Sequence, residues 1–405
     1  MADAPPEPLV ATAEKLAELV AHLRVSGRFA FDTEFVSEDT FEPILCLIQV
    51  ATLERHVVVD PLAIEDMSSF WDVVNDPSIE VVMHAAGEDL RIGHLRSGRL
   101  PERIVDVQIA AALVGHGYPL SLGNLVYQTV GVSLAGGETR TDWRRRPLSE
   151  GQLRYALDDV RYLLEVADQL ASRLETLDRQ PWAELEFRSL IESVRARGDE
   201  ERWRRLSGLH QLSRRGLEVA RRLAEWRRED ARRANRPLRQ VLRDDLLIAI
   251  AKRQPTTHRD LEALRDFNRP HLLSRSNEFL ALIADAQNVP AENLPEHSER
   301  HDDGPGLSMV VSLMNATLSQ SATQRKVATS LVGSSADLKE LIRWHVSGRP
   351  QSRQPALMNG WRGEVCGQLL LDVLTGKRAL RIVDPEAEVP VALDPIESEA
   401  DATNS

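Results

Sequence analysis

The order of strand-like and helical segments is the feature that most limits how this chain can fold. Five short apolar runs occur within the first 106 residues, and helical stretches separate the later ones. The runs cover residues 28–36, 44–51, 56–60, 80–84 and 103–106. From about Gln152 onward, apolar residues recur at helical spacing almost throughout. The pattern predicts an N-terminal α/β domain followed by helical domains.

Two charged stretches without periodicity divide the helical region. They lie at residues 195–200 and 295–306, and the second contains Pro and Gly. A chain of 405 residues is too long for one ordinary core, so several domains are expected. We predict domains at residues 1–195, 203–292 and 307–384, and a disordered tail at 385–405 because that segment is acidic and contains prolines.

The distribution of charge favours a nucleic acid as partner, although the total charge does not. The chain carries a net charge of -12, whereas binding to nucleic acid depends on basic residues that neutralise phosphates. Residues 201–240 contain thirteen arginines and five acidic residues, a net +8, so the other 365 residues carry -20. Arg221, Arg228 and Arg232 form a stripe on a predicted helix. Such a stripe is often only solvated surface, but the local excess favours contact with the phosphate backbone.

Targeting and nucleotide motifs are lacking in the sequence. The N-terminus has no basic region followed by an apolar run, and the apolar run at residues 246–251 is too short to span a bilayer. Cys46 and Cys366 fall in different predicted domains and cannot form a zinc site by themselves. No Walker phosphate loop or dinucleotide glycine pattern occurs. We expect a cytoplasmic protein without membrane contact.

Two acids share one face of the first predicted strand. Alternation along this strand places Phe29, Phe31 and Phe35 on one face and Asp32 and Glu34 on the other. Neighbouring carboxylates on a strand repel each other unless a cation lies between them. The motif therefore indicates a metal site, although an edge strand with a solvated acidic face is an ordinary alternative.

A third acid, Asp89, falls in the first turn of a helix that follows the strand at residues 80–84. An acid there is often only a cap or a partner of the helix dipole. His84 at the strand end is either a hydrogen-bonded structural residue or a substrate contact. Neither residue identifies a site by itself.

A fourth acid lies on a helix that begins near Ser149. Ser149 and Gln152 fit a capping box, and Tyr155 and Asp159 share a face because they are four residues apart. Asp158 is not excluded by spacing. A phenol beside a metal-binding carboxylate can orient an attacking water, whereas an amphipathic helix with solvated acids is the ordinary alternative.

In this order, the three motifs resemble the DEDD superfamily of 3'-5' exonucleases, in the subgroup whose third motif carries Tyr, and within it the ribonuclease D family. The helical stretch at 206–288 resembles an HRDC domain, and the last helical unit resembles the second HRDC-type domain of that family. The resemblance implies an α/β ribonuclease H-like exonuclease domain with a mixed sheet, followed by two all-α HRDC-type domains. The matching stretches are residues 31–36, 45–49, 82–90, 106–111 and 138–143, continuing through 146–148 to 159–160.

The resemblance also implies a reaction and its residues. Asp32, Glu34, Asp89 and Asp159 would hold two Mg²⁺ or Mn²⁺ ions, and Tyr155 would position the attacking water. The enzyme would be a monomer that trims single-stranded 3' ends of tRNA precursors and other structured RNA and releases 5'-monophosphates. The substrate contacts we assign are Gln49, His84, Arg140, Trp143, Arg221 and Arg228.

Two alternatives remain at the level of sequence. The chain reads Leu134-Ala135-Gly136-Gly137 where the family usually has an Asp-Lys pair before Glu138, so a cation near the substrate is missing. That change favours an inactive nucleic-acid-binding scaffold, whereas the intact set of five site residues opposes it. A DNA 3'-5' exonuclease is the other alternative, because neither the acids nor the basic stripe recognises a 2'-hydroxyl.

Overall fold

The computed structural model describes residues 9–135, 141–196, 203–297 and 304–396. The chain forms two compact units. Unit 1 contains the described residues of Met1–Glu34, Leu47–Val194 and Asp303–Ser405, and unit 2 contains those of Phe35–Cys46 and Arg195–Asp302. The candidate metal ligands all lie in unit 1.

A five-stranded mixed sheet forms the centre of unit 1, as the five apolar runs predict. Its strands lie in the order β3-β2-β1-β4-β5, where β1 and β5 both run parallel to β4, and β2 and β3 are antiparallel. The register places Ala30 opposite Val82 and Met83 opposite Asp106. The strands are β1 (Arg28–Val36), β2 (Ile44–Ala51), β3 (His56–Val59), β4 (Glu80–Met83) and β5 (Ile104–Asp106).

Eight helices accompany the sheet among the residues described up to position 196. The sequence explains where several of them begin and end: Thr12 caps the first, which ends at Gly27 in the left-handed conformation (φ 64°). The predicted capping box of Ser149 and Gln152 is confirmed. The helices are α1 (Ala13–Ser26), α2 (Ser68–Val74), α3 (Gly87–Ser97), α4 (Val107–Leu113), α5 (Leu122–Val130), α6 (Glu150–Arg161), α7 (Leu163–Thr176) and α8 (Gln180–Ala196).

The C-terminal helices belong to the same hydrophobic core as the sheet. Ala30 and Val82 of the sheet fall in one buried cluster with Leu318, Leu341 and Leu370. These helices are α15 (Leu307–Gln324), α16 (Thr329–Val332), α17 (Ser335–Val346), α18 (Gly360–Arg362) and α19 (Gln368–Leu374), with a π-helical turn at Gly363–Gly367 between the last two. The last helical region is therefore packed into unit 1.

Buried polar contacts reinforce this packing. The Arg179 guanidinium donates from Nη1 to the carbonyl oxygens of Leu113 (2.6 Å) and Lys326 (3.0 Å). Glu186 on α8 accepts hydrogen bonds from the Trp361 indole (2.8 Å) and from Arg362 Nη1 (2.5 Å). Each buried donor is thereby paired, which avoids the cost of an unsatisfied polar group.

Unit 2 is a helical bundle with its own core. Leu217, Leu223, Leu247 and Phe279 are buried in it. The Phe41 backbone N–H donates to the Asn235 side chain (3.2 Å), so the segment 35–46 packs within this unit. Its helices are α9 (Arg214–Ala234), α10 (Leu238–Val241), α11 (Asp244–Arg253), α12 (His258–Glu262), α13 (Pro270–Leu273) and α14 (Ser276–Gln287).

The C-terminal end of the chain differs from the expected helical unit to residue 384 and disordered tail at 385–405. Arg378–Ile382 (β6) and Val391–Pro395 (β7) pair as an antiparallel hairpin, so the expectation is wrong for both strands. Leu380 lies opposite Leu393, and both pack against the core of unit 1, which makes the hairpin favourable despite the acidic composition. Residues 397–405 lie outside the described residues, as do 197–202 and 298–303 in the predicted linkers.

Among the described residues, no helix is long and apolar enough to cross a membrane.

Candidate active site

The strand β1 presents Asp32 and Glu34, both half-buried, from the middle of the sheet. Alternation buries Phe29 and Phe31 on the opposite face. The Phe31 ring packs against Phe70 at a centroid distance of 6.1 Å. This packing holds the strand in the register that directs both acids to one face.

Asp89 lies in the first turn of α3 and is only 7% exposed. The N-cap residue of this helix, Ala86, makes no side-chain cap, and the Asp89 carboxylate interacts with its own backbone N–H. The Thr33 hydroxyl on β1 also donates a hydrogen bond to Asp89 Oδ1. The bond links the second acidic motif directly to the first.

Asp106 fixes the turn that precedes α3. Its buried carboxylate accepts hydrogen bonds from the backbone N–H groups of Ala85 (3.3 Å) and Ala86 (2.9 Å), and it also caps α4 through the N–H of Gln108 (2.9 Å). Ala85 adopts a positive φ of 55°, a conformation that is costly for a residue with a Cβ. Asp106 therefore stabilises the turn that determines where α3, and with it Asp89, begins.

The helix α6 supplies Tyr155 and Asp159. The neighbouring Asp158 forms an ion pair with Arg161 at 3.6 Å, whereas Asp159 contributes charge repulsion to Asp32 and Glu34. The Tyr155 ring packs against Trp143 with a centroid distance of 6.1 Å. Of the two adjacent acids, Asp159 is the one whose charge acts on the β1 carboxylates.

Asp32, Glu34, Asp89 and Asp159 together form what we call the carboxylate cluster. Burial raises the pKa of Glu34 to about 8, and the charges of Asp159 and Asp89 add to the rise. Burial also raises the pKa of Asp89 and of Asp159 to about 7, and the Thr33 hydrogen bond partly offsets the rise at Asp89. Burial and the other three carboxylates raise the pKa of Asp32 well above its usual range. Three elements therefore bring four acids into one partly buried site, where burial is the main cause of the raised pKa values and repulsion by other acids of the cluster adds to it at Asp32 and Glu34.

The phenol of Tyr155 responds to the same charges. Burial raises its pKa, and the carboxylates of Asp159, Glu34 and Asp32 raise it further. At neutral pH the side chain is therefore a neutral phenol, which donates a hydrogen bond and accepts one. This state suits the orientation of a water better than the removal of its proton.

The donor chemistry of the carboxylate cluster fits divalent ions. Carboxylate oxygens are the ligands that Mg²⁺ and Mn²⁺ prefer, and a cation would relieve the repulsion that the raised pKa values record. Within the described ranges, no three His, Cys, Asp or Glu side chains lie close enough together to hold one metal ion as they stand. A bound ion would therefore have to draw the carboxylates of the cluster inward.

Gln49, assigned from the sequence to the substrate, is fully buried in β2. Both its amide oxygen and its amide nitrogen lack a hydrogen-bond partner among the described residues. It does not reach the surface in this structure. A contact with substrate would need a rearrangement of β2.

His84 is hydrogen-bonded within the protein. Its Nε2 lies 2.9 Å from the Leu120 carbonyl oxygen, which also accepts a hydrogen bond from the Gln108 amide (2.9 Å). Burial lowers the pKa of His84, so the ring is neutral at pH 7 and donates from Nε2. These contacts give His84 a structural role, and its contact with substrate stays a prediction.

Trp143 is 3% exposed, so its ring is buried against Tyr155 and is not available to stack on a base. Arg140 lies outside the described residues. Nearby, Arg146 forms a buried ion pair with Asp60. Sequence reasoning missed that pair, and also Thr33 and Asp106; the position of both aspartates at a strand end was the only local signal.

The arginine stripe of unit 2 is partly neutralised. Arg221 forms ion pairs with Glu218 and Glu225, both at 2.6 Å, and these acids raise the pKa of its guanidinium. Arg228 lines a cleft of about 710 Å³ in unit 2 together with Trp203 and Arg204. The cleft combines positive charge with an aromatic wall.

The order of domains along this chain matches that of known proteins. Residues 9–175 match the 3'-5' exonuclease family, residues 216–283 match the HRDC domain, and residues 305–370 match the C-terminal HRDC domain of ribonuclease D. Ribonuclease D of Cronobacter turicensis is 33% identical over 90% of this chain and 99% of its own length. Ribonuclease D of Escherichia coli is 32% identical over 90% of this chain and 98% of its own length.

A solved structure shows the same fold. The crystal structure of Escherichia coli RNase D, described as an exoribonuclease involved in structured RNA processing, superposes with a TM-score of 0.79 at 31% identity. The match covers 91% of this chain and 98% of that chain. The likeness therefore extends over the exonuclease domain and both helical regions.

Proposed function

Because this chain belongs to the ribonuclease D family and is a 3'-5' exoribonuclease, we propose that its carboxylate cluster holds two Mg²⁺ or Mn²⁺ ions during hydrolysis. Asp32, Glu34, Asp89 and Asp159 are the proposed ligands, and Tyr155 is the proposed water-positioning residue. The observation that supports the proposal is that β1, α3 and α6 gather four acids in one partly buried site, where burial raises their pKa values and the charges of Asp89 and Asp159 repel those of Asp32 and Glu34. Such repulsion is costly unless cations offset it.

Each proposed site residue has a separate role in the reaction. When bound, the divalent ions would stabilise the negative charge that develops on the phosphodiester oxygens. The four carboxylates would bind and orient these ions. Thr33 holds Asp89 through its hydrogen bond. The neutral Tyr155 phenol directs a water toward the phosphorus atom. Attack at the terminal phosphodiester breaks the bond to the leaving 3' oxygen and releases a nucleoside 5'-monophosphate. The reaction needs no covalent enzyme intermediate.

The proposed substrates are the single-stranded 3' ends of structured RNA, including tRNA precursors. Two HRDC-type regions and the local +8 charge of residues 201–240 support this assignment, since phosphate contacts depend on basic side chains. The Escherichia coli relative is described as processing structured RNA. We further propose that the enzyme acts in the cytoplasm as a monomer.

A hydrolysis assay with paired variants tests the metal-site proposal. The wild-type protein should release 5'-monophosphates from the 3' end of a labelled RNA when Mg²⁺ or Mn²⁺ is present. Asp159→Asn should lower kcat by at least about 10²-fold, whereas Asp158→Asn should stay near the wild-type rate because Asp158 pairs with Arg161. Full activity in Asp159→Asn, or none in the wild type with either metal, would contradict the proposal.

The preference for RNA is tested separately. RNA and DNA oligonucleotides of matched sequence should be compared under the same conditions, with kcat/KM measured for each. We expect the RNA to be the better substrate. A large preference for DNA would show that the natural substrate is of the other class.

A further inference from the structure

Asp60 and Arg146 form an ion pair that joins the end of β3 to the segment before α6. The Arg146 guanidinium contacts the Asp60 carboxylate through two hydrogen bonds, from Nε to Oδ2 (2.5 Å) and from Nη2 to Oδ1 (2.7 Å). The Asp60 side chain is 4% exposed and the Arg146 side chain 26%. The Leu62 backbone N–H also donates to Asp60 (3.0 Å), which fixes the carboxylate at the end of β3. Two parallel hydrogen bonds set the plane of the guanidinium.

The remaining guanidinium nitrogen of Arg146 holds the turn that precedes α6. Arg146 Nη1 donates to the carbonyl oxygens of Trp143 (2.8 Å) and Arg145 (2.9 Å). Asp60 therefore orients the guanidinium, and the guanidinium orients the backbone that carries Trp143. A lysine at position 146 would keep the charge, but it would lose the two-point contact that defines this geometry.

The Trp143 side chain connects the position of this backbone to the orientation of the Tyr155 ring. Its ring packs against the Tyr155 ring at 6.1 Å with a tilt of 38°, and it is buried. The α6 capping box fixes the backbone that carries Tyr155. The direction of the phenol then depends on its side-chain torsions, which Trp143 restricts from one side.

We propose that Arg146, oriented by Asp60, is a positioning residue that sets the direction of the Tyr155 phenol through Trp143. The inference rests on the proposed role of Tyr155 as the residue that orients the attacking water. In this proposal Arg146 and Trp143 act through Tyr155 and not through direct contact with substrate. A small misplacement of a catalytic group costs up to about 10²-fold in rate, so their loss should act on kcat.

If the Asp60–Arg146 pair had only a structural role, its loss would lower stability without a specific effect on kcat. Breaking a buried ion pair lowers stability wherever the pair lies. The pair of Arg362 and Glu186 is the control, because its arginine also makes a two-point contact with one carboxylate, from Nη1 and Nη2, and its burial is similar, with side chains 25% and 10% exposed. It joins α8 to α18, and neither helix carries Tyr155 or Trp143.

Single-turnover and steady-state kinetics on full-length variants test the proposal. Arg146→Lys and Trp143→Phe should each lower kcat by about tenfold or more, with KM changed by less than about threefold. Arg362→Lys should lower the melting temperature to a similar extent but leave kcat near the wild-type value. Tyr155→Phe should lower kcat by about 10²-fold.

A double-mutant cycle then separates an effect on the position of Tyr155 from a general loss of activity. In the Tyr155→Phe background, adding Arg146→Lys should change kcat by less than about twofold, because the hydroxyl that Arg146 serves is already absent. An undiminished loss in that background, or wild-type kcat in Arg146→Lys and Trp143→Phe, would overturn the inference alone. Full activity of Tyr155→Phe would instead overturn the proposed role of Tyr155, and this inference with it.

Discussion

At the scale of single residues, the dominant physical feature is the burial of four acids in one site, to which charge repulsion at Asp32 and Glu34 adds. Glu34, with a pKa of about 8, and Asp89 and Asp159, each with a pKa of about 7, bind protons in the folded protein at pH values where unfolded carboxylic acids are ionised. The folded state therefore holds more protons than the unfolded state between about pH 4 and 8. Stability falls as pH rises through this window, since protons must leave a site that favours their retention.

These raised pKa values predict that the stability of the protein depends on pH and on bound metal. With a chelator present, the melting temperature of the wild-type protein should fall between pH 6 and 8.5, and Mg²⁺ should reverse the fall because it binds the ionised cluster. Glu34→Gln should flatten the pH dependence. Thermal unfolding followed by circular dichroism measures all three, and a melting temperature that rises with pH in the chelated protein would be inconsistent with the described cluster.

At the scale of elements, the start of α6 determines the positions of two of the five proposed site residues, Tyr155 and Asp159. Ser149 Oγ accepts a hydrogen bond from the Gln152 N–H (3.1 Å), and the Gln152 side chain accepts one from the Ser149 N–H (2.9 Å). The Gln152 amide also donates to the Thr141 hydroxyl (3.1 Å). One capping box thus connects the helix that carries Tyr155 and Asp159 to the segment that carries Trp143.

Removing the cap should weaken this element. Ser149→Ala leaves the Gln152 N–H without its acceptor and should lower the free energy of unfolding by about 1 kcal/mol. Ser149→Thr preserves the hydroxyl and serves as the control. Denaturant unfolding of both variants checks the expectation, and equal stability of Ser149→Ala and wild type would show that the cap contributes nothing to α6.

At the scale of the whole molecule, charge is separated along the chain. The acidic cluster lies in unit 1, while unit 2 carries the basic residues 201–240 and the cleft that Arg228 lines. Ion pairs neutralise part of that positive charge, as they do at Arg221. Contacts between RNA phosphates and unit 2 would add binding energy without changing the chemical step, which we propose to depend on the cluster.

Reversing one charge in the cleft tests whether unit 2 contributes to RNA binding and not to the chemical step. Arg228→Glu should raise KM for a structured RNA severalfold and reduce the salt dependence of binding, with kcat nearly unchanged. Arg253→Glu, at the exposed end of α11, is the control for charge reversal in the same unit. Equal effects of the two variants on KM would indicate a general electrostatic response instead of contact at the cleft.

The agreement between sequence and structure follows the range of the interactions involved. The strands β1 to β5 and the α6 capping box were predicted correctly because alternation and capping depend on residues a few positions apart. The hairpin of β6 and β7 was not predicted, because its stability comes partly from packing against unit 1. Composition alone favoured disorder there.

The sequence by itself determined the secondary structure of the sheet region and the family, and it singled out the four acids and Tyr155 as proposed site residues, because these depend on local spacing and motif order. Only the tertiary structure decided that Trp143 is buried, that Arg146 pairs with Asp60, and that Thr33 serves Asp89. Those contacts join residues that are distant in the chain. Their partners are determined by how the strands and helices pack, which no local pattern records.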